Sequence, residues 1–479
     1  MAAPRPWQCL RGWDINTLRH SSRAIDKPPL RRWQSTIAAP SGKIETLAAA
    51  ASKPSPLSRL PTAAIIRTLV LGSIMTFPTL YRMGMSLFSR AANSRSPLLD
   101  ADKNFLLRWL VRPLIYDQFC AGTTLSEVRK TIAGLRKMGY SGVILNYGKE
   151  ILLHDPKDAS SSNIASKETE SSSDTERQIE QWRDGNLETL KCISAGDFLA
   201  IKYTGAGPGI LAALADGREP PQAMINALDA LCEQAAVQGS FIWVDAEQQA
   251  LQSTIDAWTI QLMRRYNRSG VALVSNTVQA YLKSSRDTIK HQLQLAQAEG
   301  WTLGLKLVRG AYLGREIRDR IHDTKHATDE CYNGIVQDLL RQTWPGLDSP
   351  LPAVQLFIAG HNAVSIRKAC ETLRELAEHG KTHPSVRFGQ LQGMADDVSC
   401  ELLAMGERER ARAAAKDNSN AGVVRAGAAP AVYKCLTWGS VQECMQFLVR
   451  RATENRGATD RMRACFPEMR AELRRRMPF

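Results

Sequence analysis

From Gly142 onward, apolar runs of five to seven residues alternate with longer stretches in which apolar positions return every three or four residues. The short runs read as strands at Gly142–Asn146, Phe198–Tyr203, Phe241–Asp245, Val271–Ser275, Thr302–Val308, Val354–Ala359, Val386–Leu391 and Val432–Leu436. Between them, helical patterns lie at Pro221–Gln238, Gln248–Tyr266, Val278–Gln297, Thr328–Arg341, Ala363–His379 and Met394–Ala413. Eight such strands predict an α/β fold, a closed (β/α)8 TIM-type barrel rather than an open doubly wound sheet. Functional groups are then expected at the C-terminal strand ends.

Upstream, helical periodicity at Phe105–Cys120 and Leu125–Met138 predicts an N-terminal helical extension over 44–140, with Thr124 and Glu127 as a capping box. The barrel domain is expected over 141–458. A Ser-rich stretch at 155–182 reads as a solvated, disordered insertion with no core of its own. The apolar run Thr68–Leu80, bracketed by Arg67 and Arg82, falls short of the ~20 residues of a spanning helix. It is expected to be a core helix rather than an in-plane membrane contact.

Polar residues at the predicted strand ends carry the candidate chemistry. In LKLVRGAYLGRE, Leu305–Glu316, Lys306 falls on the opposite side of the strand from Leu303, Leu305 and Leu307. It is either a site cation or a solvated lysine on an edge strand. Arg309-Gly310-Ala311-Tyr312 then turns the chain and can aim a guanidinium and a phenol above the strand end. Lys202 shares a side with the small Ala200 and Thr204, and other strands end in Asp245-Ala246-Glu247, His361-Asn362 and Gln390-Leu391. Polar groups at so many strand ends point to a shared pocket. In the last helix, Val441–Asn455, an apolar face is separate from a stripe of Phe447, Arg450, Arg451 and Glu454. The two guanidiniums suit a carboxylate clamp, while Arg450 and Glu454 equally suit a solvated i,i+4 pair.

Charge changes the picture little. The formal net charge of +14 comes mostly from the ends: residues 1–43 carry eight Lys/Arg against two acids, and residues 407–479 carry fifteen against eight. A near-neutral middle excludes a nucleic-acid binder, and 459–479 reads as a basic tail. The Arg-rich, acid-poor N-terminus with its serines reads as a mitochondrial transit segment over 1–43. Ten cysteines without a C-x-x-C pair predict reduced, mostly buried thiols. His322/His326 and His379/His383 lack the glutamate of a zinc-protease helix, so no metal is expected. GAGPG at Gly205–Gly209 lacks the third glycine of a dinucleotide fingerprint.

Together LKLVRGAY, the DAE of Asp245–Glu247, VQAY of Val278–Tyr281, GHN of Gly360–Asn362, QLQGM of Gln390–Met394 and FLVRRATEN of Phe447–Asn455 resemble the proline dehydrogenase family, and most of all its fungal mitochondrial members. The resemblance runs from about Asn104 to Ala458. It implies a distorted (β/α)8 barrel holding FAD, which oxidises L-proline to Δ1-pyrroline-5-carboxylate and passes electrons to a membrane quinone, with peripheral contact to the mitochondrial inner membrane. By matching positions, Arg450, Arg451 and Lys202 would hold the proline carboxylate, while Tyr312, Leu391, Tyr433 and Phe447 would wall the ring. Asp245 would orient Lys202 or Tyr312. Gln279 and Lys306 would reach the isoalloxazine edge, and Arg309, Gly310, Lys325, His361, Asn362 and Glu454 the rest of the cofactor. Lys306 stands where many members have arginine, Phe447 where a tyrosine is common, and two residues are extra in Lys434–Gly439 relative to bacterial members. Hydroxyproline therefore stays open as substrate. The residues alone also admit a barrel lyase with Lys202 or Lys306 as Schiff base, or a non-catalytic scaffold.

Overall fold

The computed structural model describes residues 55–94, 96–148, 172–314, 316–414, 429–454 and 465–477. The predicted transit segment and residues 155–171 of the Ser-rich stretch lie outside them. Eight parallel strands close into a barrel in sequential order: β1 (Gly142–Tyr147), β2 (Phe198–Ile201), β3 (Phe241–Val244), β4 (Val274–Gln279), β5 (Leu303–Val308), β6 (Val354–Ala359), β7 (Ser385–Leu391) and β8 (Ala431–Trp438). The helices are α1 (Thr62–Thr76), α2 (Pro78–Asn93), α3 (Phe105–Val111), α4 (Leu125–Lys137), α5 (Ser172–Leu190), α6 (Pro208–Ala215), α7 (Gln222–Gln238), α8 (Gln249–Tyr266), α9 (Ser285–Glu299), α10 (Lys325–Leu340), α11 (Ala363–Glu378), α12 (Asp396–Ala414), α13 (Val441–Glu454) and α14 (Phe466–Arg476).

Strand alternation sorts the side chains into two cores. Outward residues such as Leu199, Ile242, Leu305, Leu307, Ile358 and Phe388 join the helices in the main apolar cluster. Inward residues Ile144, Phe198, Ala200, Trp243, Phe357 and Tyr433 fill the lower lumen. There Trp243 and Phe357 meet edge to face at 4.3 Å, and Tyr433 stands 5.5 Å from Phe198 and 5.4 Å from Phe357. The lumen is thus plugged below and open only above.

Four expectations are corrected. The fourth strand starts at Val274, not Val271. The run Val271–Val274 is apolar, but the ladder with β3 reaches back only to the Leu273 carbonyl, which accepts from Ile242 N–H at 2.8 Å, while Asn267 accepts from Val274 N–H at 2.8 Å and donates to its carbonyl at 2.7 Å. The strand's inward positions Ser275, Thr277 and Gln279 are polar, and the last two line the cavity, which is why apolarity alone misplaced it. The following helix accordingly begins at Ser285 rather than Val278. Secondly, residues 172–182 of the expected insertion are the first turns of α5, where Ile179 is buried and the Trp182 indole donates to the Lys202 carbonyl at 3.1 Å. Sparse apolar residues at helical spacing anchor it despite the polar composition. Thirdly, Thr68–Leu80 is not one core helix: Pro78, which cannot donate to the preceding turn, starts a new helix bent 108° from the first. Fourthly, the basic C-terminal tail contains α14, whose Phe466 and Met469 pack with Leu57, Leu60 and Ile65, while Glu472 pairs with Arg475 and Arg476.

One outward group makes stability depend on pH. Burial pushes the Asp256 carboxyl of α8 up to about 6, against the lowering effect of Asn276 Nδ2 (2.9 Å) and Gln252 Nε2 (2.8 Å), both donating to Oδ1. An acid with a raised folded pKa holds its proton more tightly folded than unfolded, so its favourable share is complete below the unfolded value of about 4 and lost as pH rises to about 6. Asp256→Asn keeps the accepting oxygen and carries no charge. It is expected to stabilise the protein by about 1–2 kcal/mol at about pH 8 and to flatten the decline between about pH 4 and 6, read from urea midpoints across that range.

Candidate functional site

A cavity of about 620 Å³ opens above the lumen plug at the C-terminal strand ends. Its lining includes Asp245, Gln279, Lys306, Arg309, Gly310, Tyr312, Lys325, His361, Asn362, Leu391 and Arg451, contributed by the C-terminal ends of β3 to β7, the loops behind them, the start of α10, and α13. Most of the residues chosen from sequence therefore converge.

One carboxylate on its lining holds two lysines, of which Lys306 lines this cavity and Lys202 a smaller pocket. Asp245, just past β3, accepts from Lys202 Nζ at 3.0 Å through one oxygen and from Lys306 Nζ at 2.5 Å through the other. Burial pushes this carboxyl up, but the attraction of Lys306 and then Lys202, with their hydrogen bonds, outweighs it and holds the group well below the usual carboxylate range. Asp245 is thus an anion at any working pH. The Lys306 ammonium also lies 4.3 Å from the centre of the Trp243 ring. Lys306 is a lumen cation and not a solvated surface lysine: it is 8% exposed. The expected partnership of Asp245 with Lys202 is present, and the bond to Lys306 is an addition that the sequence did not suggest.

Neighbouring contacts brace the rim. Glu247, two residues on, takes the Thr204 N–H at 3.2 Å and the Thr204 hydroxyl, tying β3 to the end of β2. Gln279 donates to the Glu247 carbonyl at 3.2 Å. Arg309 bonds Asp329 and Ser365, each at 2.7 Å, and its guanidinium lies 4.2 Å over the Tyr332 ring. Asp329 also pairs with Lys325, whose side chain is 77% exposed. Gly310 has φ of +136°, and a Cβ there would run into the Tyr281 ring, so only glycine lets the turn lie against it. His361 Nε2 accepts from Leu391 N–H at 3.1 Å, joining the ends of β6 and β7. Asn362 caps α11 through Oδ1, which leaves its amide N–H₂ to offer a ligand.

The structure places other predicted residues differently. Tyr433 faces the lumen but in the plug layer, paired across β8 with Gly142 and Gly389 at the start of β1 and late in β7. It does not line the cavity; Cys435, one inward position higher and level with Leu391, does. Two residues of strand amount to about 7 Å of depth, which the extra residues in Lys434–Gly439 obscured. Phe447 is buried behind Arg451, with its ring 5.0 Å from the guanidinium carbon, and braces that cation from below. The side chains of Arg450 and Glu454 lie outside the described residues. Sequence reasoning missed Trp243, Thr277 and Cys435. All three share the inward side of their strands with named residues, so strand parity alone would have found them.

Residues 128–464 match the family described as Proline dehydrogenase. The chain is 29% identical to the probable mitochondrial proline dehydrogenase of Schizosaccharomyces pombe over 421 residues, covering 78% of this chain and 82% of that one. It is 28% identical to a hydroxyproline dehydrogenase of Bos taurus over 426 residues, 77% of this chain and 82% of that one. Among solved structures, proline utilization A from Bdellovibrio bacteriovorus shares the fold with a TM-score of 0.55 at 16% identity, over 88% of this chain and 42% of that one. With the family match covering most of the chain, and with its motifs gathered around a single barrel cavity, the chain belongs to the proline dehydrogenase family.

Proposed function

We propose that the chain is an FAD-dependent enzyme of the mitochondrion that oxidises L-proline to Δ1-pyrroline-5-carboxylate and delivers the electrons to a membrane quinone. The observation that carries this reading is the Asp245 anion, on a cavity whose wall also includes Lys306 and Arg451, fixing both Lys306 and Lys202. A flavin dinucleotide fits the residues present. The cavity volume is that of a site for a large cofactor, and Lys306, Arg309 and Lys325 supply cations for electron-rich and phosphate oxygens. In addition, the Trp243 indole N–H is buried with no partner among the described residues, so the lumen keeps a donor in hand.

FAD, when bound, would supply the acceptor for the hydride leaving proline C5. The chain's share is placement. Arg451 and Lys202 are suited to grip the substrate carboxylate, Tyr312 and Leu391 to flank the ring, and Arg309 with Lys325 and Asn362 to hold the phosphate and adenosine end. Lys306, fixed between Asp245 and Trp243, would offer a cation to the negative charge that a flavin seated against it would gain on reduction. The same geometry argues against a Schiff-base lyase: both candidate lysines are ion-paired, and a paired ammonium is not a nucleophile.

A second substrate reading has a specific support. The β8 wall of the cavity is Cys435, smaller than the expected phenol, and a thiol there leaves room for a hydroxyl on the ring. Visible spectra of the purified protein under anaerobic conditions test both. A flavin spectrum that bleaches with L-proline is expected, and faster bleaching by 4-hydroxyproline would assign the second substrate. Colourless protein, or a flavin that neither compound reduces, would sink the proposal.

A further inference from the structure

The N-terminal helices carry a concentration of exposed apolar side chains found nowhere else among the described residues. Of eighteen exposed large hydrophobic residues among the described residues, twelve fall between Ile66 and Leu110. In α2, Leu80, Met83 and Leu87 recur at helical spacing along one face, the last two each 59% exposed. In α3, Phe105 (75%) and Trp109 (69%) share a face with Leu106 and Leu110. Inner faces of the same helices are already used: Phe88, Ala91 and Ala92 of α2 and Leu107 and Val111 of α3 pack with Val441, Cys444 and Met445 of α13. The outer stripes cannot turn inward without breaking that cluster. Exposed apolar side chains concentrated in this way mark an interaction site.

Charge selects the occupant. Arg82 and Arg90 stand beside the stripe on α2 and Arg108 on α3, and neither helix contains an acidic residue. Large apolar residues on one face with arginines beside them, and no acids, are the composition of helices that lie in the plane of an anionic lipid surface. No single helix among the described residues is long and apolar enough to cross a membrane. The 108° bend between α1 and α2 also suits a helix laid along a surface more than one passing through it.

We propose that the outer faces of α2 and α3 are an in-plane docking surface for an anionic lipid bilayer. Leu80, Met83, Leu87, Phe105 and Trp109 enter the acyl boundary, while Arg82, Arg90 and Arg108 meet the headgroup phosphates. This rests on the quinone-linked reading above and deepens it by naming the surface. The helix beneath the stripe, α13, also presents Arg451 to the cavity, so docking brings the catalytic end of the barrel next to the phase in which a quinone dissolves.

Co-sedimentation of the full chain with phosphatidylcholine vesicles, with or without about one-fifth cardiolipin, tests this. The parent protein is expected to sediment with the cardiolipin vesicles. A Met83→Ser, Leu87→Ser, Trp109→Ser, Leu110→Ser variant is expected to lower the partition coefficient at least about 100-fold, since four buried apolar side chains are lost. Arg82→Gln, Arg90→Gln, Arg108→Gln is expected to lose about tenfold or more on cardiolipin vesicles only. Both variants should keep the thermal midpoint and the rate of flavin bleaching by proline, which separates this surface from the chemistry: bleaching can fail while binding stands, and the reverse. The inference is overturned if the parent stays in the supernatant with both vesicles, if the four-serine variant sediments like the parent, or if those substitutions dissociate a dimer in lipid-free solution and leave lipid binding unchanged.

Discussion

Asp245→Ala is expected to lower kcat/KM for L-proline by about 10³-fold, the largest effect of any single substitution in the cavity. The carboxylate is the shared partner of Lys202 and Lys306, two cations that are 8% exposed each. Removing it leaves two ammonium groups facing each other at the base of the lumen, and breaking a buried pair costs about 3–5 kcal/mol. They would be expected to separate, taking the cations proposed for the substrate carboxylate and for the flavin out of register together. Asp245→Asn should do almost as badly. Its oxygen can serve one lysine, but its N–H₂ then points at the other, so shape is kept while attraction turns to repulsion. Steady-state kinetics with flavin content measured alongside decide the matter. A loss under about tenfold for the alanine variant would mean that the lysines are held by something other than this carboxylate.

Arg451→Met is expected to raise the KM for L-proline about 100-fold while changing flavin affinity little, because a charge-assisted fork to a carboxylate contributes about 1.5–3 kcal/mol and the contact proposed for Arg451 is to substrate. Methionine keeps the length and apolar stem, and Phe447 remains beneath it, so the local packing should survive. Arg451→Lys should fall between the two, retaining charge without the planar fork. Equal losses in proline and flavin binding would show that Arg451 serves the cofactor. The prediction also gives Phe447 a role independent of a tyrosine hydroxyl: its ring face holds the guanidinium at 5.0 Å.

Much of the site was legible because strand geometry is local. Leu303, Leu305 and Leu307 on one side of β5 force Lys306 to the other, and the same alternation puts Asp245, Gln279 and Leu391 inward. Helix termini were legible for the same reason: Thr124 does accept from Glu127 N–H at the start of α4, as the four-residue spacing suggests. Apolarity was a poorer guide where the wall of the cavity is itself polar, as in β4, and where a helix of mostly polar residues is anchored by few apolar ones, as in α5.

The sequence by itself determined the class of fold, the eight strands, the family, and the side of each strand on which the chemistry lies. Tertiary structure alone decided depth and partnership. Tyr433 and Cys435 have the same parity and are indistinguishable by alternation, but closure of the barrel pairs β8 with both β1 and β7 and so sets one in the plug and the other on the cavity wall. Likewise nothing in the order of residues says that Asp245 binds lysines 43 and 61 positions away. Side-chain direction follows from the backbone of a single strand, whereas a contact between β2, β3 and β5 exists only once the register of every strand between them is fixed.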